Sequence, residues 1–355
     1  MPRYIKTDKD QASLLLPVIM DKQLIKGSLP YCIQFLVDNK IDISSFEKRF
    51  KNDLTGRSAW SPKVLLKIIL FAYSMGIVTS RSIKELCSNN ITMMVLSENS
   101  IPDFTVIADF ISTMKQEIVS VFVNILLICD EMDLLGGTTF ALDGCKIKSN
   151  ASKEYSGTHK ELKNKADKLK NKIQTLIDLY DSEDNKEFHM ISDNELKKKI
   201  EKIGNKISKI DNFISNNSPK KGKRNRENKS NITDSESAKL KSSHGMIQGY
   251  NSQALVDDKN QIIIAAEVFG TNADGDLIKP MIEQAEENMG KTIKADKYFE
   301  NTKLLSDTAY YSEEGLEYLA GKKIDAYIPD QQFRKRDIRY KDKNKYNPDV
   351  KQKDI

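Results

Sequence analysis

Apolar residues recur with helical spacing through the first third of the chain. Ser61 and Pro62 precede Lys63-Val64-Leu65-Leu66-Lys67-Ile68-Ile69-Leu70, which reads as an N-cap, a proline in the first turn and a buried helix, with Gly76 as its stop. Ser80, ahead of Arg81-Ser82-Ile83-Lys84-Glu85-Leu86, predicts a second capped helix. Pro102-Asp103-Phe104-Thr105 opens a third, and a long apolar helix covers 117–132. Short helices joined by short turns suit either a helix-turn-helix DNA-binding module or an ordinary helical bundle.

At Gly136-Gly137 the period changes. Residues 138–147 are rich in β-branched and apolar side chains and read as a strand carrying one acid, Asp143. Two further strands, 250–256 and 261–269, flank the hairpin turn Asp257-Asp258-Lys259-Asn260. A helix follows at 277–289 with Gly290 as its stop, then a short strand at 304–310 containing Asp307, a helix at 313–322 and a strand at 324–329. That order predicts a mixed α/β sheet, not a simple alternation of strand and helix. Between the first strand and the hairpin lies a charged segment, 153–229. Leu162, Ala166, Leu169, Ile173, Leu176 and Tyr180 form one heptad seam; Leu196, Ile200, Ile203, Ile207, Ile210 and Ile214 form a second. Two helices covering each other's apolar stripe is the economical arrangement, ended by Pro219 and a basic run.

Composition narrows this picture. A chain of 355 residues is long enough for two or three domains. It is 39% hydrophobic and 30% charged, the balance of a soluble protein. A net charge of +5 argues weakly for nucleic acid, but its distribution says more. Lys220, Lys221, Lys223, Arg224, Arg226 and Lys229 cluster in one polar segment; Arg334, Lys335, Arg336, Arg339, Lys341, Lys343 and Lys345 form another. Such clusters suit phosphate backbones, and solvated loops look the same. Cys32, Cys87, Cys129 and Cys145 are widely spaced with no C-x-x-C pair, which argues against a zinc site or disulfide framework and for a reducing compartment. The longest apolar stretch, 118–129, is broken by Ser120 and Asn124 and falls short of the roughly 20 residues a membrane helix needs. With a polar N-terminus, a cytoplasmic, nucleoid-associated protein is expected.

The carboxylates carry the candidate chemistry. Asp143 among Phe140, Ala141, Leu142 and Ile147 is costly to desolvate unless it sits at a strand edge, meets a cation or binds a metal. Asp307 in Leu304-Leu305-Ser306-Asp307 repeats the situation. On neighbouring strands the two would bind Mg²⁺, a hard cation that prefers carboxylate oxygens; on separate strands each is a turn or strand-end acid.

The stretch from Gly137 through Asp143-Gly144-Cys145-Lys146-Ile147-Lys148 to Ser152 resembles the first catalytic block of insertion-sequence transposases with a ribonuclease H-like DDE domain. Gly245 to Asp257 is similar to their following hairpin, and Leu305-Ser306-Asp307-Thr308-Ala309-Tyr310-Tyr311-Ser312 to their second catalytic block. Upstream, Gly56-Arg57-Ser58-Ala59-Trp60-Ser61-Pro62 through Cys87, and Pro102 to Ile107, resemble the family's N-terminal helical domain. The resemblance implies an α/β fold: a ribonuclease H-like mixed sheet with an α-helical N-terminal domain and a helical-hairpin insertion. It implies a DNA-binding domain at 1–136, a catalytic domain at 137–335 interrupted at 153–229, and a basic polar tail without fixed structure at 336–355. Asp143 and Asp307 match the first two acids of the catalytic triad and would hold Mg²⁺ or Mn²⁺. Lys146, Lys148, Lys220, Lys221, Lys223, Arg224 and Arg226 would meet double-stranded DNA, at terminal repeats and target, in a chain that acts as a homo-oligomer or alone. Asn251 and Gln253 share one strand face, opposite Tyr250, and read as scaffold.

The pattern departs from the family in one place. The third acid is a glutamate on a helix well beyond the last strand, and residues 330–355 contain no glutamate; Asp330, Asp337 and Asp342 lie on no amphipathic helix. The expectation is a chain that stops before that helix, leaves one apolar sheet face open, and is impaired in strand cleavage. The alternative is a non-catalytic protein that occupies the DNA ends and inhibits the intact enzyme.

Overall fold

The computed structural model describes residues 22–48, 50, 58–181, 193–221, 227–242, 245–290 and 298–341. The chain divides into two compact units, Met1–Glu131 and Met132–Ile355.

The first unit is helical: α1 (Leu29–Asn39), α2 (Ser44–Glu47), α3 (Pro62–Ser74), α4 (Ser80–Asn89), α5 (Ile91–Leu96), α6 (Phe104–Thr113) and α7 (Lys115–Glu131). Helix α3 begins at Pro62 as the sequence suggested, although the Ser61 side chain makes no capping bond. Past its end, Gly76 adopts φ +75, a left-handed conformation open to glycine, and its N–H closes on Tyr73 O at 2.9 Å. The cap of α4 is Thr79, not Ser80: its Oγ1 accepts from the Ser82 N–H at 3.3 Å, so Ser80 is already the first helical residue. The helix opened by Pro102-Asp103-Phe104-Thr105 is α6, capped by Asp103, which accepts from Thr105 N at 3.1 Å. The heptad-like spacing buries Val37, Phe46, Ile68, Ala72, Ile83, Met93, Leu96 and Ile107 completely. Phe46 stacks on Phe110 with ring centroids 5.5 Å apart. Each large side chain so buried contributes about 1.5–3 kcal/mol. One cation enters this core. Lys67, 2% exposed, reaches Asp38 at 3.2 Å and Glu98 at 3.0 Å, which offsets the cost of removing its ammonium from water.

The second unit is built on a mixed sheet. Its strands and helices run β1 (Thr139–Lys148), β2 (Ser156–Gly157), α8 (His159–Asp181), α9 (Asp193–Asn216), β3 (Ser230–Asn231), β4 (Ala238–Ser242), β5 (Gly245–Asp257), β6 (Ile263–Phe269), α10 (Ile278–Met289), β7 (Lys303–Ser306), α11 (Glu313–Gly321), β8 (Asp325–Tyr327) and α12 (Phe333–Arg336). The sheet order is β4-β5-β1-β7-β8, with β6 also paired to β5. Strand β1 is antiparallel to β5 and parallel to β7. One face buries Phe140, Leu142, Leu255, Ile264 and Leu304 together with Met281, Ile282 and Ala285 of α10. On the other face Leu305 is 43% and Tyr327 53% exposed.

Strand β4 was not legible in the sequence, because Ala-Lys-Leu-Lys-Ser offers a single apolar residue to bury, Leu240. It is an edge strand, and its lysines suit that place. The strand expected at 304–310 ends at Ser306; Thr308–Tyr310 is a 3-10 turn instead. Asp307 redirects the backbone there by accepting the Ala309 N–H at 2.8 Å. Helices α8 and α9 pack through Leu162, Ala166, Ile207, Ile210 and Phe213. In the stretch read as a polar tail, Asp337 caps a 3-10 turn at Ile338–Tyr340; residues 342–355 lie outside the described residues.

At the entrance to β1, the Asp257 carboxylate is fully buried and accepts four hydrogen bonds from three backbone N–H groups. Gly136 N lies 2.9 and 3.1 Å from its two oxygens, Gly137 N at 2.7 Å and Lys259 N at 3.1 Å. This acid, read from the sequence as a turn residue, fastens the Gly136-Gly137 elbow to the β5–β6 hairpin.

Candidate active site

Asp143 stands on β1, opposite Ala254 of β5. On its other side, β1 pairs in parallel with β7 from Thr139↔Lys303 to Leu142↔Ser306. Asp307 is the next residue after that last pair, as Asp143 is on β1, so the chain carrying Asp307 leaves the sheet beside Asp143. The Ser306 hydroxyl donates to Leu142 O at 2.8 Å and ties the end of β7 to the middle of β1. Both aspartates are exposed. Each commits one oxygen to backbone: Asp143 Oδ1 accepts from Gly144 N at 2.7 Å, and Asp307 Oδ1 from Ala309 N at 2.8 Å. These bonds fix the orientation of the carboxylates.

The donor set fits a divalent cation as a partial shell. The carboxylates of Asp143 and Asp307 would supply hard oxygens of the kind Mg²⁺ prefers. Among the described residues no group of three His, Cys, Asp or Glu is placed to hold a metal. The other acids weighed from the sequence are engaged elsewhere: Asp330 with Arg336, and Asp337 with Arg339. Asp342 lies outside the described residues.

Of the basic residues singled out from the sequence, Lys146 is committed within the protein. Its Nζ lies 2.9 Å from Asp274 Oδ1 and 2.8 Å from Asn251 Oδ1, on the face opposite Asp143. Lys148 is exposed and borders a cleft of about 910 Å³ with Cys145, Lys153 and Lys241. Lys220 and Lys221 border a second cleft, of about 1100 Å³, with Lys229 and Lys239. Lys220 donates to Glu236 O at 3.3 Å, and its burial lowers its pKa. Lys223, Arg224 and Arg226 lie outside the described residues.

The sequence reading passed over Asp274, which sits in the loop before α10, and Tyr310, which it took for a strand residue. Asn251 and Gln253 do share a buried face, as alternation required. Tyr250 points the other way, donating to Asp234 at 2.6 Å, and its phenol is pushed up to about 12 by burial and by that carboxylate. The Tyr310 phenol is raised further, first by burial and then by the charges of Asp274, Asp143 and Asp307, so it keeps its proton and remains a donor. Nothing in local spacing marks Asp274 or Tyr310, because their partners are remote in sequence.

Residues 20–113 match the family described as Transposase domain (DUF772), and residues 228–355 the family described as Transposase DDE domain. The second match takes in Gln253, Asp274, Asp307 and Tyr310; β1 with Asp143 falls between the two matched segments. No curated protein and no solved structure matches the chain. Among the described residues, no single helix is long and apolar enough to cross a membrane. Transposase DDE domains act on DNA and generally use divalent metal ions. With a transposase helical domain, a transposase DDE domain and a mixed α/β sheet in this order, the chain belongs to the DDE transposases of insertion sequences.

Proposed function

We propose that this transposase cleaves and joins DNA strands at insertion-sequence ends with Asp143 and Asp307 as its metal-binding carboxylates. The observation that supports this reading is the β1–β7 register, whose last pair, Leu142↔Ser306, immediately precedes Asp143 and Asp307. A Mg²⁺ or Mn²⁺ ion bound there would activate an attacking oxygen and stabilise the leaving one. The protein's own part is to hold one carboxylate midway along β1 and the other just past the end of β7, each accepting a backbone N–H. Lys148, with Lys153 and Lys241 beside it, and Lys220 and Lys221 in the second cleft offer positive charge to the phosphates of a bound duplex. The N-terminal domain read from the sequence at 1–136 would hold the terminal repeats.

The purified chain, given duplex DNA bearing the element's terminal repeats, should nick it weakly, more with Mn²⁺ than with Mg²⁺. Asp143→Asn and Asp307→Asn should each abolish that nicking. Nicking that survives both substitutions overturns the assignment. The second reading is a non-catalytic chain that occupies the repeats and inhibits an intact enzyme. Tight, salt-sensitive binding of the repeats with no nicking in either metal would select it.

A further inference from the structure

A buried run of side-chain hydrogen bonds passes beneath Asp143 and Asp307, on the opposite side of the sheet from their carboxylates. Tyr310, 2% exposed, closes the 3-10 turn that Asp307 caps, and its hydroxyl donates to Gln253 Oε1. Gln253 belongs to β5, whereas the turn follows β7, so this one bond spans the central strand β1. It crosses at Gly144, the residue after Asp143. A Cβ on Gly144 would lie 2.3 Å from Gln253 Nε2 and 2.7 Å from Ser252 O, which is why only glycine lets Gln253 pass there.

The run continues away from the aspartates. Gln253 Nε2 donates to Asn251 Oδ1 at 2.8 Å and reaches Asp274 Oδ1 at 3.3 Å. Asn251 Nδ2 donates to Asp274 Oδ1 at 2.6 Å, and Lys146 closes the far end on both acceptors. The turn is fastened a second time by Ser312 Oγ, which donates to Gly275 O at 2.8 Å. Apolar side chains of the same volume would fill this space at no loss of stability, because the net worth of each hydrogen bond is small. What a satisfied buried network adds is a single arrangement.

We propose that Tyr310, tethered by Gln253 across Gly144, is a positioning residue that holds the Asp307 turn against β1 so that the two aspartates keep one spacing for a shared divalent ion. The proposal rests on the reading of Asp143 and Asp307 as metal ligands.

The test titrates Mn²⁺ alone into the full chain and follows free Mn²⁺ by electron paramagnetic resonance, with a circular dichroism melt run in parallel. Wild type should bind Mn²⁺ and Asp143→Asn should not. Tyr310→Phe removes only the hydroxyl, and it should weaken Mn²⁺ binding about five-fold or more, the worth of one lost hydrogen bond. Gln253→Met keeps the length but removes the acceptor, and reads the same tether from its other end should Tyr310→Phe fail to fold. Mn²⁺ affinity unchanged in a folded tether variant, even with a lowered melting temperature, overturns the positioning role. Wild-type binding indifferent to Asp143→Asn overturns the metal-ligand reading instead, and the proposal falls with it.

Discussion

The Ser306 hydroxyl donates to the carbonyl oxygen of Leu142 at 2.8 Å. These are the residues immediately before Asp307 and Asp143, and 164 positions separate the members of each pair. The bond lies at the end of the shared ladder, where β7 leaves the sheet and backbone pairing no longer holds the strands in step. Ser306→Ala should therefore cost about 1 kcal/mol in denaturant unfolding of the second unit. Its larger effect should be on nicking, since the freed strand end carries Asp307; Ser306→Thr, which keeps the hydroxyl, should recover most of both.

Asp257 is a stability residue. It lies with no exposure under the Gly136-Gly137 elbow and satisfies three backbone N–H groups there. Asp257→Ala leaves those donors buried and unpaired, at a cost of about 3–5 kcal/mol. Asp257→Asn keeps the shape but turns one acceptor into a donor facing N–H groups, so it should recover little. Chemical denaturation of the two variants checks both expectations; melts within experimental error of wild type would count against this account.

Asp103 gives the helical unit an acid-side pH dependence. The Lys84 ammonium, 2.7 Å away, and then the Thr105 N–H and hydroxyl hold its carboxyl well below the usual carboxylate range. A group with a depressed folded pKa contributes its stability above the unfolded value, about 3.9, and loses it as pH falls through the folded one. Asp103→Asn keeps an N-cap oxygen but loses the charge. The difference in melting temperature between wild type and Asp103→Asn should be constant from neutral pH down to about 5 and shrink below about 4. A difference that grows on acidification contradicts the sign.

The cysteines should separate by reactivity. Cys145 and Cys32 are exposed, whereas Cys87 is buried and its thiol is pushed up to about 11 by burial. Thiolate is the reacting species, so Cys87 should label orders of magnitude more slowly than Cys145 in the native protein. Because Cys145 lies two residues beyond Asp143 on the same strand face, a bulky maleimide there should block nicking. Mass spectrometry of partially labelled protein, set against nicking by Cys145→Ser with and without reagent, checks both points.

Much of this molecule is written locally. Periodicity alone marked α3, α4, α6, α7, β1, the β5–β6 hairpin, α10 and α11, because each buries one stripe or face whose spacing is set by its own backbone geometry. Asp143 and Asp307 stood out for a related reason: an acid within an apolar strand is expensive unless something needs it there. What periodicity missed was local structure without an apolar stripe, namely lysine-rich β4 and the 3-10 turn that ends β7 early.

The sequence by itself determined where apolar faces lie and which two acids sit oddly among them, since both follow from spacing along one strand or helix. Only the tertiary structure decided that Lys146 faces Asp274 instead of solvent, that Gln253 passes over Gly144 to Tyr310, and that Asp257 closes the elbow before β1. Those partners lie tens to more than a hundred residues apart. A hydrogen bond acts over about 3 Å, so chain spacing carries no trace of it until the strands are in register.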